Sequence, residues 1–213
     1  MTTILNPWFS IWQKPRQTLT EVIRTYGNKY DVPLSVLAGV VQMLSWASDK
    51  NLGASYSLFE ILALCLLAGP VYGYVFLYVA TITVRKFGNM LGGTGQKSDV
   101  RTAIAWASIP FIWSLVFWLP AILIWGNAVF LREPVEGLQE LSFVAIIAGV
   151  LAIAALYYLY KCIYVFIQCI AEAHNFSAAK SLLTTFLSLI TIILIGLLIA
   201  IPIAILIEMQ TLF

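Results

Sequence analysis

The chain has 213 residues, of which 61% are hydrophobic and 10% charged, and its formal net charge is +2. A soluble domain carries about 25% charged residues, so this chain cannot cover a folded surface with ionised groups. That argues against a soluble enzyme, excludes a disordered chain, and leaves no basic patch of the kind nucleic acid requires.

The first thirty residues contain no uninterrupted apolar stretch of signal-peptide type, so the first membrane span is expected to act as the insertion signal. Asn6-Pro7-Trp8-Phe9-Ser10-Ile11-Trp12 is rich in large aromatics. Leu19, Val22, Ile23 and Tyr26 follow at offsets of 0, 3, 4 and 7, which places them on one face of a helix. That face can lie in the membrane interface with aromatics beneath the headgroups, it can pack on a bundle, and both can hold. Residues 1–32 therefore read as a cytoplasmic or interfacial segment containing an amphipathic helix.

A bilayer crossing needs about 20 mostly apolar residues. Five stretches qualify, at 33–47, 57–84, 102–125, 142–160 and 182–207, the first being short. The predicted fold is all-α, a polytopic bundle of five transmembrane helices occupying 33–213. Ten of the twelve cations fall on one side of this arrangement, and only Lys50 and Arg132 on the other. Cytoplasmic loops carry the excess of Lys and Arg, so the N-terminus is expected in the cytoplasm and the C-terminus outside. The last outer loop is acidic, with Glu133, Glu136 and Glu140.

Titratable residues are absent from the middles of the five predicted spans, which argues against a proton relay. Lys161 stands at an inner edge among tyrosines and reads as an interfacial anchor. The chain has a single histidine, His174, and its three cysteines show no C-x-x-C spacing, so no metal, cofactor or catalytic site is expected. Gly92, Gly93 and Gly95 form a turned or flexible loop whose four neighbouring cations can touch anionic headgroups; a solvated turn is the alternative. Gly69, Pro70, Gly73, Pro110 and Gly149 are helix-breaking or small residues. They are expected to pack helices closely, within the chain or in a homo- or hetero-oligomer.

Three segments together resemble bacterial members of the Yip family, named for interaction with Ypt/Rab GTPases. They are Asn6–Arg16, the run from Gly92 through Trp106 to Pro110, and Ala171–Ser177 with the span that follows. Trp8, Trp12, Arg16, the loop glycines, Lys161 and His174 are the candidate contacts with the interface or with partners. The resemblance implies a role in membrane organisation, lipid homeostasis or traffic, and no catalytic residue. Eukaryotic relatives carry a longer cytosolic N-terminal region, which argues against Rab-type GTPase binding here. Membrane lipids and other transmembrane helices are the expected partners, and a bacterial cell membrane the expected location. The alternative is a transporter or lipid-translocating protein; a continuous polar groove through Gln42, Ser45, Ser108 and Ser114 would favour it.

Overall fold

The computed structural model describes residues 6–131 and 142–211, and the acidic loop at Glu133, Glu136 and Glu140 lies outside them. The described residues form helices and turns only: α1 (Pro7–Ser10), α2 (Pro15–Tyr26), α3 (Asp31–Asp49), α4 (Leu58–Met90), α5 (Lys97–Ala107), α6 (Ile109–Ile112), α7 (Leu115–Trp125), α8 (Ser142–Ala173) and α9 (Ala178–Thr211). Four stretches are long and apolar enough to cross a membrane: Leu58–Met90, Lys97–Phe130, Gly149–Ala173 and Ala178–Leu198. Helix α3, the short first span of the sequence reading, is not among them.

Helix α3 nevertheless lies along α4 for most of its length, because glycines let the two backbones touch. A Cβ on Gly69 would stand 2.6 Å from the Val40 Cα, and one on Gly73 would collide with the Ser35 carbonyl. From the other side, a Cβ on Gly39 would meet the Gly69 carbonyl and the Gly73 backbone. Gly69 and Gly73 thus lie at the closest approach of α4 to α3, and Gly39 faces them from α3; the sequence did not single out Gly39. Pro70 sits between them without ending α4.

The third predicted span is broken. Helix α5 ends at Ala107 and α6 begins at Ile109, with Pro110 in its first turn. Proline has no N–H and its ring crowds the carbonyl four residues back, so a continuous helix fails here. The exposed backbone is satisfied locally: the Tyr158 hydroxyl donates to the Pro110 carbonyl at 2.6 Å, and Ser108 and Ser114 donate to Ala105 and Phe111. In a bilayer no water is present to do this, which is why such breaks need side-chain partners.

Packing is uneven along the bundle. From Val100 to Ala107 only Arg101 is incompletely buried; α5 lies among α2, α3, α4 and α8. At the other end, α8 from Gly149 to Tyr157 and α9 from Ile193 to Leu198 are exposed at every position. No atom lies within 4 Å of where a Gly149 Cβ would be, so this glycine packs against nothing in the described residues.

Valine at Gly39 or Gly73 must push backbone apart, an overpacking worth roughly 1–3 kcal/mol or more. G39V and G73V are expected to lower the thermal unfolding midpoint of the detergent-solubilised protein clearly, whereas G149V leaves it unchanged. Equal midpoints for all three would contradict the interlock.

Candidate functional site

One end of the bundle gathers the candidate residues. The C-terminus of α4, the loop 91–96, the start of α5, and the corner between α8 and α9 meet there, and α2 lies across them.

His174 is at the centre of this end and is fully buried. Its imidazole stacks on Phe176 with ring centroids 5.1 Å apart. Glycines form the rest of its seat. A Cβ on Gly88 would overlap the ring, and Cβ atoms on Gly93 and Gly95 would stand 2.6 and 2.7 Å from Nδ1. The Thr94 N–H donates to the His174 carbonyl at 3.1 Å, and Asn175 reaches the Thr94 hydroxyl. The loop is therefore a fitted lid on the imidazole and not a free turn, with Gly92 supplying the positive φ of 84° that the chain reversal needs. Neither ring nitrogen has a well-formed hydrogen bond. Burial, and then the charge of Arg85, push the imidazole pKa below its ordinary range, opposed by the Val84 carbonyl.

The N-terminal segment is built into the same end. Leu19 and Val22 are fully buried in the main core, with Ile23 and Tyr26 packed against it. The apolar face of α2 is thus covered by protein, because α5 and α8 present an apolar surface beside it. Arg16 fixes the docking: its Nε donates to Gln168 at 2.6 Å, its guanidinium reaches the Phe176 carbonyl, and it stands 3.9 Å from Glu172. Thr20 donates to Glu172 at 2.7 Å. Trp12 packs on Tyr158, and Phe9 meets Trp113 edge-on at 5.4 Å. Trp8 and Phe9 stay exposed at the rim, at 37% and 59%. Lys161 differs from an edge anchor. Helix α8 continues twelve residues beyond it, and its ammonium donates to the Trp12 carbonyl at 3.4 Å between the rings of Tyr157 and Tyr164. It pins the N-terminal segment to α8.

A further tie was not singled out from the sequence. Asp31, fully buried at the start of α3, accepts from Arg101 Nε at 3.0 Å and from the Thr102 hydroxyl. Its signal was an acid in the first turn of a helix, where the helix dipole favours it.

Of the residues that would line a polar groove, Gln42 and Ser108 share one cavity of about 490 Å³ with mostly apolar walls, and Ser45 and Ser114 lie outside it. The arrangement is not a continuous polar path. Among the described residues no group of histidine, cysteine and carboxylate side chains could hold a metal ion.

A histidine held neutral in the folded state lowers stability as pH falls through its unfolded pKa of about 6.5, because only the unfolded chain then takes up the proton. The unfolding midpoint is expected to drop between pH 7 and pH 5, and H174Q should flatten that drop. An H174Q profile parallel to wild type would show that other groups carry it.

A family model, the Yip1 domain, matches residues 9–201 of the chain. No curated protein and no solved structure matches it. The matched region includes most of the N-terminal segment, the glycine loop and the His174 corner, the segments that the structure brings together. With four helices able to cross a bilayer, the chain is a multi-pass integral membrane protein and belongs to the Yip1 domain family.

Proposed function

We propose that the chain is a non-catalytic membrane protein that organises lipids or partner proteins through its basic, aromatic end. The observation that carries this reading is the convergence of three distant segments on one closed cap. Arg16, Gln168 and the Phe176 carbonyl meet there, as do Gly88, Gly93, Gly95 and His174. The Arg16, Gln168, Thr20 and Glu172 side chains spend polar groups on one another and on the Phe176 carbonyl, and the imidazole is enclosed, so the cap supports a docking surface better than a reaction centre. Trp8 and Phe9 at its rim are suited to headgroups or a partner.

In this reading the protein has five spans, with 1–32 as the cytoplasmic or interfacial segment and 33–213 as the transmembrane domain. Helix α3 is the fifth. Its 19 residues rise about 28 Å. It is tied to Arg101 at the basic end, and Ser48 near its far end donates to the Val129 carbonyl at 3.1 Å. A crossing by α3 puts ten of the twelve cations on one side, which favours a cytoplasmic N-terminus and an external C-terminus; a bacterial cell membrane is the location that the resemblance to bacterial Yip proteins suggests. The open face at Gly149 is available for a homo- or hetero-oligomer, and Rab-type GTPase binding forms no part of the proposal.

Two measurements test the reading. A cysteine at Thr94 should resist a membrane-impermeant thiol reagent in intact cells and react after lysis; labelling from outside would overturn the orientation. Purified protein in vesicles should leave fluorescent lipid in its original leaflet and take up no solute. Scrambling or uptake would favour the translocating alternative.

A further inference from the structure

The cavity containing Gln42 and Ser108 has walls from α3, α4, α5, α6, α8 and α9, and its volume of about 490 Å³ falls within the range of small-molecule sites. Its exposed lining residues are Tyr72 and Phe76 of α4, Ile163 of α8, and Leu182, Phe186 and Leu189 of α9. The cavity therefore opens sideways into the bilayer and not toward water. At 1.5 Å per residue, its lining on α9 lies about 3–14 Å below Lys180, and its lining on α3 about 6–17 Å below Asp31. That is the depth of the acyl chains of one leaflet.

Two observations indicate what occupies it. The first is Thr185, which lines the cavity and whose buried hydroxyl has no hydrogen bond. On the same helix Thr184, Ser188 and Thr191 each donate to the carbonyl four residues back, at 2.8, 2.7 and 2.9 Å. Thr185 departs from this habit and keeps its donor on the cavity wall. The second is charge. Lys180 stands at the head of α9 beside Gly92, and Arg85 stands near the His174 corner. Neither has an ion-pair partner among the described residues.

We propose that this cavity binds one anionic phospholipid of the leaflet at the basic end. An acyl chain fills the apolar walls, the Thr185 hydroxyl donates to an ester carbonyl about one and a half helical turns below Lys180, and the headgroup lies against Lys180 and Arg85. Burying a polar donor in hydrocarbon is unfavourable without a partner, and the lipid ester supplies one. This deepens the function proposed above and rests on the basic end facing a leaflet.

The test uses the full chain in vesicles of phosphatidylcholine doped with photoreactive-chain phosphatidylglycerol, and in parallel with photoreactive phosphatidylcholine. Both leaflets then have the same composition, so a wrong orientation would appear in the Thr94 labelling and not here. Phosphatidylglycerol is expected to cross-link to the α4 and α9 peptides that line the cavity, and phosphatidylcholine much less. K180Q should weaken the phosphatidylglycerol cross-link by about fivefold, the share of one cation at an anionic surface. T185V, which keeps the shape of the side chain, should weaken it without changing the unfolding midpoint. A38F, which fills the cavity, should abolish it. Equal labelling by both lipids would overturn the anionic preference. Cross-links that ignore A38F and T185V would overturn the site.

Discussion

The seat of His174 is the contact on which the rest of the basic end depends. An imidazole is too large to lie against three helix ends and a loop unless the backbone comes very close, and Gly88, Gly93 and Gly95 allow that approach. The stacked Phe176 closes the last face. Once the ring is seated, the end of α4, the start of α5 and the α8–α9 corner are held at one height. Phe176 then offers its carbonyl, and α8 its Gln168 and Glu172, to Arg16. The N-terminal helix docks because that polar strip is in place beside an apolar one.

The opposite end follows a different rule. Close α3–α4 contact through Gly39, Gly69 and Gly73 holds the first pair of helices together, but the far stretches of α8, from Gly149 to Tyr157, and of α9, from Ile193 to Leu198, are exposed at every position. In a bilayer this costs little, since lipid tails solvate apolar side chains as well as a neighbouring helix does. A protein tight at one interface and open at the other is shaped to fix its cap and to let its surroundings fill the remaining space. The sideways cavity lies between these two regimes.

Much of this was legible in the sequence. Scarce charge marks the membrane class, and long apolar runs locate α4 and α9 to within about six residues at each end, whereas α8 runs 13 residues past the expected end at Tyr160. Offsets on α2 identified the face that is buried, although periodicity could not say whether lipid or protein covers it. Pro110 reads as a helix-breaking residue, but the partner that satisfies the backbone at the break does not show in the sequence. A proline breaks a membrane helix only where other side chains can satisfy the freed backbone, and Tyr158 lies 48 residues away. Likewise, His174 and the loop glycines were picked out separately, while their contact spans about 80 residues and leaves no local pattern. The Asp31–Arg101 pair escaped for the same reason.

The central claim is that the N-terminal segment is part of a closed cap and does not lie free in the membrane interface. Thr20 and Glu172, joined side chain to side chain at 2.7 Å, report on it most directly. With the native cysteines replaced, T20C and E172C should be joined by a short thiol-to-thiol cross-linker in native membranes, whose arm makes up the length lost from the Glu172 side chain, as should N28C and T102C placed on the Asn28–Thr102 contact at 2.9 Å. A cross-link at N28C/T102C with none at T20C/E172C would show that α2 leaves the bundle, and would contradict the account.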